Sequence, residues 1–127
     1  MTGATARPGV GDPAAAPTLV AVAHGTRDPA GPAAYRELIE RVRELRPGLR
    51  AEPAFLELAD PLLDQVLAGL RGTVVLVPLL LGTGYHVRVD LPAARAAAGH
   101  LDLRLAPALG PDRLLAAALA DRLAEAG

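Results

Sequence analysis

The chain has 127 residues, of which 51% are hydrophobic and 21% charged, so it has enough apolar material for a folded core and general disorder is excluded. The net charge is −1 and aromatic residues make up 2%, which argues against nucleic-acid binding by charge or by base stacking. The chain has no cysteine and no lysine, which excludes disulfides, thiolate metal sites, iron–sulfur clusters and lysine Schiff bases. The remaining candidates for chemistry are carboxylates, hydroxyls, arginines and three histidines, His24, His86 and His100.

Residues 1–16 differ in composition from the rest of the chain. Residues 1–16 are rich in glycine, proline and alanine without periodicity, and they predict a disordered tail followed by a single domain over residues 17–127. The tail lacks the apolar region of a secretory signal, and no stretch approaches the roughly 18 apolar residues of a membrane span. We therefore expect a cytoplasmic protein without a membrane partner.

Strands and helices are predicted to alternate in the first half of the domain. Residues 18–23 form a short apolar run that ends at His24 and predicts a buried strand. Apolar side chains recur at helical spacing in residues 33–46 and predict the first helix. Residues 50–58 predict a second strand, in which Pro53 favours an edge position because proline cannot donate a hydrogen bond to the ladder.

The second half continues the alternation. Asp60-Pro61 predicts a helix start with aspartate as the N-cap, and residues 73–81 predict a strand that is apolar on both faces. Asp90 is predicted to cap a short third helix, and a fourth strand within residues 101–109 precedes a last helix over 113–126. The order βαβαβαβα predicts an α/β fold, an open four-stranded and mainly parallel sheet with helices on both faces.

Three side chains are predicted to meet at one edge of that sheet. His24 ends the first strand, Glu57 ends the second, and His86 follows the third after a glycine-containing loop. Ligands of open parallel sheets bind at the carboxyl ends of the strands. Two imidazoles and a carboxylate would form an incomplete site for a divalent metal ion, although a single histidine at such a position is more often a polar loop residue. His100 precedes a strand, at the opposite edge, and is predicted to be a solvated loop residue.

Two further features lie beside this edge. Arg27 either binds a carboxylate of a ligand or pairs with Asp28, and the sequence leaves both interpretations open. The turn containing Gly82 and Gly84 offers backbone N–H groups to carboxylates. The chain has neither a phosphate-binding P-loop nor the glycine pattern of dinucleotide-binding proteins.

Four segments resemble the sirohydrochlorin chelatases, the class II tetrapyrrole chelatases of the short cobaltochelatase and ferrochelatase type. They are LVAVAHGTRDP, AFLELADP, VVLVPLLLGTGYHVRVDLP and APALGPDRLL, and the resemblance runs from about residue 18 to the end of the chain. It implies ATP-independent insertion of a divalent metal ion into the tetrapyrrole sirohydrochlorin, with release of two protons, in sirohaem or cobalamin biosynthesis. The metal, Co²⁺, Fe²⁺ or Ni²⁺, is then a substrate, and no organic cofactor is implied.

The resemblance also implies roles for individual residues. His24 and His86 would be catalytic metal ligands, and Glu57 would contact the metal or the tetrapyrrole. Substrate-binding positions would be Arg27, Glu57 and the segment Leu80, Leu81, Gly82, Thr83, Gly84 and Tyr85.

The sequence departs from the family pattern in two respects. Thr26 stands where serine is commoner, and the chain has one domain where many bacterial members have two. Short members form homodimers, so a homodimer is expected here. An alternative to the enzyme is a non-catalytic module that carries a metal ion or a tetrapyrrole in the same cleft.

Overall fold

The computed structural model describes residues 17–80 and 89–127, so the predicted tail and the loop that contains His86 lie outside the described residues. Strands and helices alternate along the described parts. The strands are β1 (Thr18–Ala23), β2 (Ala51–Phe55), β3 (Thr73–Pro78) and β4 (Asp102–Leu105). The helices are α1 (Ala30–Leu45), α2 (Leu63–Ala68), α3 (Leu91–Ala97) and α4 (Arg113–Ala126).

The strands form one parallel sheet in the order β2-β1-β3-β4. This arrangement confirms the predicted α/β fold and places the carboxyl ends of all the strands at one edge, which we call the carboxyl edge. The strand that contains Pro53 lies at the side of the sheet, as predicted, so its missing N–H interrupts no ladder between two neighbours.

Helices cover both faces of the sheet because β1 alternates its side chains between them. Val20 and Val22 belong to a buried cluster with leucines of α2 and α3, whereas Ala21 packs with Ile39 of α1 on the other face. Leucine, valine and alanine build most of this core, as the composition predicts. Phe55 is the largest fully buried side chain.

One predicted helix start is wrong, and one predicted cap is confirmed in position without its hydrogen bond. The helix α2 begins at Leu63 rather than at Asp60-Pro61, because residues 56–61 form a bend in which the carbonyl of Pro61 accepts a hydrogen bond from the N–H of Phe55 at 2.9 Å. Asp90 occupies the N-cap position of α3 but makes no side-chain capping hydrogen bond. Asp112 is a true cap, since its Oδ2 accepts from the N–H of Leu114 at 2.8 Å.

The helix α4 has no buried residue, although its sequence is amphipathic. Leu114, Leu119 and Leu123 are 76%, 72% and 74% exposed. The α1 face of β3 is correspondingly incomplete, because Val75 and Val77 remain half-buried there while the residues that alternate with them are buried. Among the described helices, none is long and apolar enough to cross a bilayer.

Candidate metal and substrate site

The carboxyl edge brings His24 and Glu57 together, as the strand order predicts. His24 directly follows β1, and Glu57 lies two residues beyond the end of β2. The ladder continues past both strands, since the N–H of Leu56 donates to the carbonyl of Ala23 at 2.9 Å and the N–H of Glu57 donates to the carbonyl of His24 at 3.0 Å. The backbone therefore fixes the relative position of the two residues that carry the candidate ligands.

Gly25 allows this close approach of the two loops. Its φ of +112° lies in a region that favours glycine, and a Cβ built on it would lie 1.7 Å from the carbonyl oxygen of Glu57. No side chain fits at that distance. The loops after β1 and β2 are thus in direct backbone contact beside the two candidate ligands.

The imidazole of His24 is oriented by its own loop. Its Nδ1 lies 3.3 Å from the carbonyl oxygen of Gly25, and this contact is a hydrogen bond in the neutral tautomer that carries its hydrogen on Nδ1. The lone pair is then on Nε2, which lies 4.0 Å from Oε1 of Glu57.

The 4.0 Å between Nε2 of His24 and Oε1 of Glu57 is within the largest separation of two ligands that share a cation. Metal bonds to imidazole and carboxylate are about 2.0–2.2 Å long, so two ligands on opposite sides of one ion lie up to about 4 Å apart. The side chains of His24 and Glu57 are 43% and 53% exposed, which leaves the space beside them open to a second substrate. A divalent ion between them would be held by an incomplete set of ligands.

Of the other predicted site residues apart from Arg27, only Leu80 lies within the described residues. His86 and the segment 81–85 lie outside the described residues, and within 17–80 and 89–127 no cluster of three or more histidines and carboxylates could hold a metal ion. Leu80 is half-buried, and its carbonyl accepts from the N–H of Gly110 at 3.4 Å. His100 lies ahead of β4, away from the carboxyl edge as predicted, with its Nε2 3.0 Å from the carbonyl of Leu67.

Two depressions flank Glu57, and the sequence predicted neither of them. One is an open cleft of about 480 Å³ whose lining includes Glu57, Asp64 and Asp90. The other is a groove of about 320 Å³ that contains Arg27 and Arg36. Both depend on where the helices α1, α2 and α3 begin relative to the strand ends, which local patterns do not give.

The structure excludes one of the two interpretations of Arg27, while binding of a ligand carboxylate stays a prediction. The predicted pair with Asp28 is absent, because Oδ1 of Asp28 instead accepts from the N–H of Ala30 at 3.0 Å. Arg27 is exposed and lines the groove, where it makes no ion pair with a described residue. Its guanidinium is therefore free of that pair and open to a ligand.

Comparison with known proteins decides the family. A profile of the CbiX family matches residues 18–126, nearly all of the described chain. The chain belongs to the CbiX family. The predicted resemblance to the sirohydrochlorin chelatases is thereby confirmed, and a curated relative of this CbiX chain is a sirohydrochlorin cobaltochelatase of Methanosarcina acetivorans. The two are 25% identical over 78 residues, which are 58% of this chain and 60% of the relative, less than two thirds of that relative's length.

Solved structures agree with the CbiX assignment. A CbiX protein from Marinobacter aquaeolei is 30% identical with a TM-score of 0.68, and the match covers 87% of this chain and 96% of that protein. SirB from Bacillus subtilis, solved with Fe³⁺, has a TM-score of 0.78 at 21% identity, over 89% of this chain and 47% of SirB. The likeness to SirB shows the fold, one copy of which spans about half of that longer chain.

Proposed function

We propose that this CbiX chain is a sirohydrochlorin chelatase that inserts Co²⁺ or Fe²⁺ into the macrocycle without ATP. The observation that carries the proposal is the pairing of His24 Nε2 with Glu57 Oε1, 4.0 Å apart at the carboxyl edge of the sheet. The name of the cobaltochelatase relative supports the same activity. Nickel remains a third metal substrate that imidazole and carboxylate ligands accept.

The chemistry requires a site that holds the metal ion and then releases it. His24 and Glu57 bind the ion through one nitrogen and one carboxylate oxygen, and His86 supplies a second imidazole in this proposal. As the macrocycle approaches, its four nitrogens replace the protein ligands. The partly exposed positions of His24 and Glu57 allow that replacement from the open side of the site.

The proton balance follows from the same two residues. Insertion of a divalent ion displaces two protons from the pyrrole nitrogens, so the macrocycle gains two positive charges and loses two. Once the metal has left, the Nε2 lone pair of His24 and the carboxylate of Glu57 are bases that can each take one proton. No nucleotide hydrolysis is needed, because metal–nitrogen bonds in the product replace the metal–protein bonds.

The decisive experiment mixes the protein with sirohydrochlorin and an equimolar mixture of Co²⁺, Fe²⁺ and Ni²⁺ without oxygen. We expect many turnovers per protein molecule, followed by the absorbance change of metallation, and the product composition identifies the preferred metal. A cobalt product would indicate the cobalamin branch and an iron product the sirohaem branch. Binding of one equivalent without a rate gain over the protein-free reaction would instead support the alternative, a metal or tetrapyrrole carrier.

We also propose that the chain forms a homodimer through α4. Leu119 and Leu123, which lie one turn apart on α4 and are exposed, need an apolar partner, and the half-covered α1 face of β3 shows that this helix does not complete its own sheet. Light scattering is expected to give twice the 13.0 kDa of one chain. Leu119→Asp should shift the mass to that of a monomer, whereas Ala117→Asp, which adds the same charge to the opposite side of α4, should not. A monomeric wild type, or a dimer unaffected by Leu119→Asp, would contradict the proposal.

A further inference from the structure

The groove beside Glu57, which we call the Arg27–Arg36 groove, has two cationic side chains that form no ion pair with a described residue. Arg27 lies three residues after His24 in the loop after β1, and Arg36 lies on the second turn of α1. Neither guanidinium makes an ion pair or hydrogen bond with any residue of the described ranges. By contrast Arg41, also on α1, pairs with Glu37 at 3.7 Å.

The positive character of the groove comes from these guanidinium groups rather than from the start of α1. The first N–H groups of that helix are already used, since the N–H of Ala30 donates to Oδ1 of Asp28 and the N–H of Gly31 donates to the carbonyl of Asp28, both at 3.0 Å. Asp60 also lines the groove, so the charge of its lining sums to one positive charge rather than two. That charge matches a single carboxylate.

The groove also has an apolar wall held in an unusual conformation. Leu58 directly follows Glu57, lines the groove and is 45% exposed. Its φ of +66° is rare for a residue with a side chain, and such backbone strain persists only where the surroundings impose it. Two backbone hydrogen bonds on either side of Leu58 hold it in this conformation. The N–H of Glu57 donates to the carbonyl of His24, and the N–H of Phe55 donates to the carbonyl of Pro61.

We propose that the Arg27–Arg36 groove binds one carboxylate side arm of the tetrapyrrole substrate and that Arg36 contributes to the affinity for that carboxylate. The inference rests on the proposed function. A tetrapyrrole is an apolar disc with carboxylates on its rim, so a guanidinium pair beside an exposed leucine suits its edge. The groove adjoins both candidate ligands through Arg27 and Leu58, so a carboxylate held there places the disc beside them.

The test compares Arg36→Gln with Arg41→Gln, which removes the same charge from the same helix outside the groove. Loss of one charge-assisted hydrogen bond is expected to raise the KM for sirohydrochlorin about tenfold in Arg36→Gln, with kcat and the KM for metal unchanged. Arg36→Lys should restore part of the affinity, because it keeps the charge but not the bidentate geometry. The KM of the wild type should also rise more steeply with salt than that of Arg36→Gln.

A binding titration without metal separates this inference from the proposed function. The fluorescence of sirohydrochlorin reports its Kd, which should be about tenfold weaker in Arg36→Gln than in Arg41→Gln. If the wild type metallates sirohydrochlorin but the two variants bind it equally, the groove is not the carboxylate subsite and the chelatase function stands. If the wild type does not metallate, the chelatase function fails. In that case the titration still tests the carboxylate subsite. Equal Kd values for the two variants, or no binding of sirohydrochlorin, would overturn the proposed subsite.

Discussion

His24→Ala is expected to lower the rate of metal insertion by at least about 100-fold, the usual effect of losing a metal ligand or a positioned proton acceptor. The variant removes the Nε2 lone pair that faces Glu57 and leaves the carboxylate without its partner across the 4.0 Å gap. The fold should survive, because His24 is half-exposed and its backbone carbonyl, which accepts from Glu57, is retained. The measurement is the initial rate of metallation of sirohydrochlorin, with circular dichroism as the check on folding.

His100→Ala is the matched control, since it removes the same ring from the opposite side of the sheet. The variant loses the contact between Nε2 of His100 and the carbonyl of Leu67. Its metallation rate should stay within about twofold of the wild-type rate. His86→Ala extends the test to the second proposed imidazole and should resemble His24→Ala. If His24→Ala and His86→Ala both kept the wild-type rate above background, the proposed metal site would be wrong.

Glu57 and His24 could be paired from the sequence because their positions depend on a robust rule. Parallel strands have their carboxyl ends at a common edge, so the residue after β1 and the residue after β2 meet once the strand order is right. The edge position of β2 was equally predictable, since Pro53 restricts where that strand can pair. These inferences need only the order of the elements and their approximate ends.

The Arg27–Arg36 groove could not be predicted in the same way. It requires the loop after β2 to turn at Leu58, and a leucine gives no sequence signal for a positive φ. The Asp60-Pro61 pattern predicts a helix start, yet residues 56–61 form a bend in which the carbonyl of Pro61 accepts a hydrogen bond from the N–H of Phe55. Tertiary contacts between neighbouring strand ends determine both the φ of Leu58 and the conformation at Asp60-Pro61. Local sequence propensity carries no information about such contacts.

The amphipathic pattern of α4 illustrates a related limit. The spacing of Leu115, Leu119 and Leu123 identifies an apolar face, but a pattern does not say which surface covers that face. Within the described chain Leu115 is half-buried, but Leu119 and Leu123 stay exposed and no residue of the helix is buried. The same pattern is therefore compatible with a helix that packs on its own sheet and with a helix that packs against a second copy of the chain.

Gly25→Ala is expected to destabilise the protein more than any other addition of a single methyl group at the described site. The new Cβ would lie 1.7 Å from the carbonyl oxygen of Glu57, a backbone atom that cannot rotate away. Either the loop after β1 or the loop after β2 must move, and the hydrogen bond between Glu57 and His24 is lost with it. We expect the free energy of unfolding to fall by about 3–5 kcal/mol, measured by urea denaturation.

Gly48→Ala isolates the contact from the backbone strain that any alanine meets at positive φ. Gly48 has a φ of +91°, similar to the +112° of Gly25, but a Cβ there would have nothing within 4 Å. It should therefore lose only about 1–2 kcal/mol, the cost of a non-glycine residue in that conformation. The difference between the two variants measures the steric contact with Glu57.

The same pair of variants tests whether the loop contact sets the geometry of the metal site. At a temperature where both variants are folded, Gly25→Ala should metallate sirohydrochlorin about tenfold or more slowly than Gly48→Ala, because misplacing a ligand by an ångström weakens a shared metal site. Equal stability of the two variants would show that the loops do not meet as the structure has them. Unequal stability with equal rates would show that Glu57 acts without a fixed position relative to His24, and this would remove the argument for a shared ion.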